Sequence, residues 1–245
     1  MKCLASFQEL DALGEGLSKA YTKKTHRWNA QCFDIEGFIT EYLGLSIEYE
    51  SFAEADSSKI GFLSNGIDPL LVYRNRKPMP VVFPKNTIVI ERFLLRAEES
   101  GRRRFTLAHE AAHMILEKHI PTQAACFHSD FDSEANYSRE DIRRILSMNE
   151  VLTNRLGAAM LMPLFLVEKA LRKYNNSQPL VVYDGGVFAE RDKLNAQRMA
   201  DQLGVSFTAF INRLRELRLL DCRPWKNTLR RTSGSEAAYD CKDHL

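Results

Sequence analysis

RRRFTLAHEAAHMIL, residues 102–116, sits inside the longer run ESGRRRFTLAHEAAHMILEKH (99–119). Its Ala, Leu and Met content favours a helix, with Ser100 placed to cap the start. On that helix His109 and His113 stand four residues apart, about 40° in azimuth and about 6 Å in rise, so both imidazoles can reach one ion. Glu110 lies about 100° round from His109, able to address a water on such an ion without ligating it. The same three residue types also meet by chance on solvent-facing helices. Ala111 and Ala112 weigh against chance, because small spacers let the helix pack closely on a sheet while its polar face looks into a cleft. The pattern points to a zinc centre with Glu110 as general base for peptide hydrolysis.

A catalytic zinc needs a third protein ligand and one open position. His119 has the spacing of the metzincin motif, HExxHxxGxxH. Leu116 stands where that motif turns on glycine, and on a continuing helix His119 points about 240° away from His113. Cys126 with His128 offers a soft-ligand pair in residues 120–137, which read as a loop. Glu150 lies in NEVLTNRLGAAMLMP (149–163), on a second helix expected from about Arg139 to Met162. Ser138 and Asp141 form a capping-box-like start to that helix, and Pro163 ends it. Asn154 shares a helical face with Glu150, where it can orient a histidine of the first helix. Glu150 is the preferred ligand, since a glutamate followed four residues later by Asp or Asn resembles the second helix of gluzincin peptidases. His128 and Tyr183 have the chemistry to stabilise an oxyanion, but nothing in the sequence singles either out.

Outward from these helices, FDIEGFITEYLGL (33–45) reads as a helix stopped at Gly44. SIEYESF (46–52), IGFLS (60–64), PLLVY (69–73) and TIVIE (87–91) read as short strands, separated by turn-rich SNGID and RNRKPMP. PLVVYDGGVF (179–188) reads as a hairpin turning at Asp184-Gly185-Gly186. Strands followed by long helices give an α+β fold, a small antiparallel or mixed sheet packed on the two helices. The expected divisions are a helix-prone N-terminal arm (1–30), a peptidase domain (31–178), a C-terminal hairpin and helical pair (179–222) and a disordered tail (223–245).

Residues 194–221 read as helix, turn at Gly204, then helix capped by Ser206, a helix-turn-helix-like pattern. The second helix carries Arg213, Arg215 and Arg218. Its first turn, Phe207 to Phe210, suits packing better than base edges, and Leu214 and Leu217 extend that apolar face. A structural or docking role is therefore favoured over DNA contact.

The charge balance, 34 Lys+Arg against 32 Asp+Glu, gives +2 and argues against bulk binding of nucleic acid or anionic membrane. The first 24 residues lack the apolar core of a signal peptide, and no run reaches the ~18 apolar residues of a membrane span. Cys3, Cys32, Cys126, Cys222 and Cys241 are odd in number and scattered, neither a disulfide framework nor a cysteine zinc site. A cytoplasmic location is expected.

Taken together, 102–116 and 149–163 resemble the ImmA/IrrE family of bacterial and phage metallopeptidases. The family's hallmark is FTLAHE, two residues and His, followed downstream by E-x-x-A-N-x-F-A-A-x-L-L-M-P. It maps onto Phe105 to His113, then Glu150, Asn154, Ala158, Met162 and Pro163, with IGF (60–62) as the preceding strand. The likeness runs over roughly residues 30 to 220. Thr153 stands in place of Ala, Leu156 of Phe, Gly157 of Ala, and Glu117 of a frequent His. The stretch from His113 to Glu150 is longer than usual, and EAN (134–136) mimics part of the pattern, leaving Glu134 as an alternative. The resemblance implies a zincin-like, cytoplasmic zinc endopeptidase, with His109, His113 and Glu150 on Zn2+, Glu110 catalytic and Asn154 orienting. It also implies a protein substrate, a helix-turn-helix repressor, and a role in transcriptional regulation within mobile genetic elements or stress switches. The alternative is a non-catalytic module of the same fold that binds a repressor, an antitoxin or DNA through its C-terminal helices.

Overall fold

The computed structural model describes residues 6–117, 126–128 and 148–225. His119, Glu134, the start of the second helix at Ser138 and Arg139, and the tail beyond 225 lie outside those residues.

The first helix, α1 (Phe7–Lys24), opens on a reciprocal capping box between Ser6 and Glu9. It buries Leu10, Gly14, Ser18 and Tyr21, which recur on one face. That face lies on α4 (Met148–Leu161). A Cβ at Gly14 would fall 2.6 Å from the Ala159 Cβ, so the two backbones are in near contact. Ser18 Oγ donates to the Met160 carbonyl at 3.0 Å. The expected N-terminal arm thus contains a wall of the core.

Asp34 caps a short α2 (Ile35–Gly37), which runs into a π-helical turn, Phe38–Tyr42, before Gly44 leaves it at φ 70°. Tyr21, Phe33, Phe38 and Tyr42 form an aromatic cluster there.

The main sheet contains β1 (Ser46–Glu50), β2 (Lys59–Leu63), β5 (Thr87–Glu91) and β6 (Cys126–His128), in the order β1-β5-β2-β6. β1 and β5 are parallel and the other pairs antiparallel, so the sheet is mixed. β5 is central, and residues 87–90 are all buried. That burial explains why TIVIE is a continuous apolar run rather than an alternating one. β6 corrects the expectation of a loop over 120–137, because residues 126–128 pair with β2.

β3 (Leu70–Arg74) and β4 (Lys77–Val81) form a separate hairpin. RNRKPMP reads as turn-rich, but within it only Asn75 and Arg76 turn, with φ 52° and 63°. The prolines do not prevent a strand. Leu71 and Tyr73 direct backbone bonds away from β4, to Ala53 and Ser51. Pro80 and Pro78 stand opposite them on an edge strand, where no N–H is required.

The helix carrying the two histidines, α3 (Ser100–Glu117), follows a 3-10 turn, Ala97–Glu99. Ser100 is already helical (φ −54°, ψ −45°) rather than a cap. Pro163 precedes α5 (Leu164–Asn175). A C-terminal sheet then forms from β7 (Leu180–Tyr183), β8 (Val187–Phe188) and β9 (Leu220–Arg223), in the order β8-β7-β9. Gly185 and Gly186, at φ 79° and 74°, turn the β7–β8 hairpin as expected. Between β8 and β9 lie α6 (Glu190–Leu203) and α7 (Phe207–Glu216), joined at Gly204 (φ 67°), with Ser206 accepting from the Ala209 N–H. The second helix of this pair was expected to run to 221. It ends at Glu216, and residues 220–223 instead pair in parallel with β7.

Arg213, one of the three arginines placed on the second helix with Arg215 and Arg218, is 2% exposed. Its guanidinium meets Asp11 on α1 at 2.6 Å, Glu216 at 3.1 Å and the Met162 carbonyl at 3.1 Å. Arg155 on α4 joins the same two carboxylates. Among the described cysteines Cys32 is free, whereas Cys222 on β9 is disulfide-bonded, a cross-link that the scattered spacing did not signal. No single helix among the described residues is long and apolar enough to cross a membrane.

Candidate metal centre

α3 packs on β2 and β5 on one side and on α4 on the other. Ala108, Ala111 and Ala112 are fully buried, so short side chains hold the helix close to its neighbours. α4 approaches at Gly157, where a Cβ would lie 3.3 Å from the Ala108 carbonyl carbon and from the His109 nitrogen. This close approach carries residues 150–154 over the two histidines.

His109 is 0% exposed and His113 3%, and their Nε2 atoms are 2.9 Å apart. Glu150 Oε2 lies 3.2 Å from His109 Nε2, and its Oε1 lies 3.5 Å from His113 Nε2. One donor atom from each of the three residues can be chosen so that all lie within 4.8 Å of one another. Donors around a tetrahedral ion with bonds of about 2.0–2.1 Å would stand roughly 3.3 Å apart. The two Nε2 atoms stand 2.9 Å apart, and the carboxylate meets each of them with a different oxygen, at 3.2 and 3.5 Å, so all three contacts fall near that spacing. Two imidazoles and a carboxylate are a donor set suited to a divalent transition metal.

Asn154 Oδ1 is 2.9 Å from His109 Nδ1, and Thr153 Oγ1 is 3.4 Å from His113 Nδ1. The first contact places a proton on His109 Nδ1 and leaves Nε2 with its lone pair. Burial pushes His109 below the ordinary imidazole value, while the Glu150 carboxylate pulls the other way. For Glu150 burial alone would raise the carboxyl, but His109 and His113, when a proton on Nε2 lets them donate to it, outweigh burial and hold it at about 2. Neutral His109 beside ionised Glu150 is the state that metal ligation needs.

Glu110 is also fully buried, and β2 passes directly over it. A Cβ at Gly61 would stand 2.5 Å from Glu110 Oε1 and 2.7 Å from Thr106 Cγ2. Only a glycine leaves the carboxylate its space.

The model of a peptidase family, described as the IrrE N-terminal-like domain, matches residues 40–215. The chain belongs to this family. The IrrE-like span runs from the π-helical turn to α7 and includes His109, Glu110, His113 and Glu150. It marks a metallopeptidase-like domain whose three donor residues converge as described. No curated protein matches the chain. α1 precedes the IrrE-like span, yet packs on the helix that carries Glu150.

The structure therefore brings together four of the five residues singled out from the sequence and sets Glu110 beside Gly61. Cys126 and His128 fall on β6, and Tyr183 lies in the C-terminal sheet with its ring 5.3 Å from that of Trp225. Gly61 and Thr153 were not assigned site roles from the sequence. The glycine inside IGFLS was the available signal for Gly61, since an isolated strand glycine marks a close approach. Thr153 had only its departure from the family pattern.

Proposed function

We propose that this protein is a zinc-dependent endopeptidase. His109, His113 and Glu150 would hold the ion, Glu110 is the general base, and Asn154 orients His109. The observation that carries this reading is the convergence of His109, His113 and Glu150, one donor atom from each lying within 4.8 Å of the others, in a peptidase-family domain. Zinc, when bound there, would polarise the scissile carbonyl and bring a water's pKa towards ~7. Glu110 accepts a proton from the attacking water as oxygen adds to the carbonyl carbon. It then returns that proton to the amine nitrogen as the C–N bond breaks. Asn154 accepts from His109 Nδ1–H and keeps the ring turned toward the site. Gly61 leaves room for the Glu110 carboxylate.

The proposed substrate is a DNA-binding repressor of helix-turn-helix type, following the ImmA/IrrE resemblance, in regulation within a mobile element or stress switch. The non-catalytic alternative would act through the C-terminal helices. The burial of Arg213 removes one of the cations on which direct DNA contact would draw.

Glu110→Gln tests the reading. The variant should keep about one zinc per chain and lose cleavage of a helix-turn-helix repressor that the parent protein cuts. Undiminished cleavage would remove Glu110 from the chemistry. A cytoplasmic location is part of the proposal and implies that the Cys222 disulfide is open in the cell. Thiol trapping in freshly acid-quenched cells would reveal it.

A further inference from the structure

The two imidazoles are held by partners of different chemistry. Thr153 and Asn154 are consecutive on α4, and each faces the Nδ1 atom of one histidine, at 3.4 and 2.9 Å. An amide oxygen can only accept, so Asn154 fixes His109 in one tautomer. A hydroxyl both donates and accepts. Thr153 is 1% exposed and His113 3%, so their contact is shielded from bulk water.

We propose that Thr153 is a positioning residue for His113 in metal binding. The inference rests on the reading of His113 as a ligand. A metal on Nε2 forces the imidazole proton onto Nδ1, and a buried N–H without an acceptor is penalised. Thr153 Oγ1 supplies the acceptor. When Nε2 carries the proton instead, and faces His109 Nε2 at 2.9 Å, the same hydroxyl donates to Nδ1. His113 therefore keeps its partner in both protonation patterns, and only an O–H bond has to rotate. The alanine found here in the ImmA/IrrE pattern offers neither function. At 3.4 Å the contact is long, which puts the expected effect at the low end of what orienting partners contribute.

The test compares the full-length protein with Thr153→Val, which keeps the shape and removes the oxygen, and with Thr153→Ser, which keeps the oxygen. Zinc dissociation constants are measured by competition with a chromophoric chelator, and imidazole N–H signals of the zinc-loaded proteins by NMR. Thr153→Val should bind zinc about tenfold more weakly, and Thr153→Ser within about threefold of the parent. The His113 Nδ1–H signal should exchange with water faster in the valine variant. Equal zinc binding by parent and Thr153→Val would overturn the proposal. So would an equal loss in the serine variant, or an unchanged Nδ1–H signal. A parent protein that binds no zinc would instead bring down the metal-centre reading itself and this proposal with it, a result distinct from equal binding by parent and variant.

Discussion

Gly61 and Glu110 share a space that holds only one side chain: a Cβ on the strand residue would stand 2.5 Å from the carboxylate oxygen of the helix residue. The strand therefore sets where the Glu110 carboxylate, the proposed general base, can sit. Gly61→Ala should move Glu110 while leaving His109, His113 and Glu150 in place. Displacements of this size cost about 10²-fold in rate when a reacting group loses alignment. The expected result is near-normal zinc content with cleavage reduced on that order. Full activity in the alanine variant would show that Glu110 need not occupy this position.

Asn154 can be separated from its neighbours by charge and shape. Asn154→Ala removes the acceptor for His109 Nδ1–H and should weaken zinc binding about 10–100-fold. Asn154→Asp keeps an acceptor and should recover most of the loss. Calorimetric zinc titration of the three proteins decides the matter, and equal affinity across them would show that His109 needs no fixing.

Arg213 is held by Asp11, Glu216 and the Met162 carbonyl in the interior. Removing one member of a buried ionic group leaves the others uncompensated, typically at about 3–5 kcal/mol. Asp11 and Glu216 are partly exposed and Arg155 remains to neutralise both, so Arg213→Ala should lose less, about 1–3 kcal/mol. Denaturant unfolding would measure it. A loss no larger than that of a surface arginine would mean the cluster contributes nothing.

Tyr21 gives a prediction at alkaline pH. Burial, then the charge and hydrogen bond of Asp34, raise its phenol from 10.0 to about 12. The folded state keeps the proton where the unfolded state has released it. This contribution is complete below pH 10 and disappears as pH rises through about 12. Stability of the parent should therefore fall across that window more steeply than that of Tyr21→Phe. Parallel curves would place the Tyr21 pKa at its ordinary value.

The histidine helix was legible because its message is local: two imidazoles at a fixed spacing and small residues between them. Turn chemistry was equally local, as at Gly185-Gly186 and at Gly204 with Ser206. What stayed hidden depends on partners distant in the chain. Half of the buried face of α1 is Gly14 and Ser18, small residues that leave no strong apolar stripe yet permit backbone contact with α4. β4 was obscured by two prolines that only an edge position tolerates. β9 follows Leu217, Leu219 and Leu220, which read as a continuing helix until β7 offers a parallel partner. At Arg213 the local sequence suggests a surface cation, and only the arrival of Asp11 makes it a buried one.

Asp11 and Arg213 are separated by 202 positions, and between them they brace the helix that bears Glu150 and Asn154. Domains form as the ribosome delivers them, and contacts this remote close last. His109, His113 and Glu150 are translated well before α7, so a growing or prematurely ended chain would possess all three donor residues with only the Asp11–Arg155 part of the brace. If the centre works as proposed, its competence would then arrive late in synthesis.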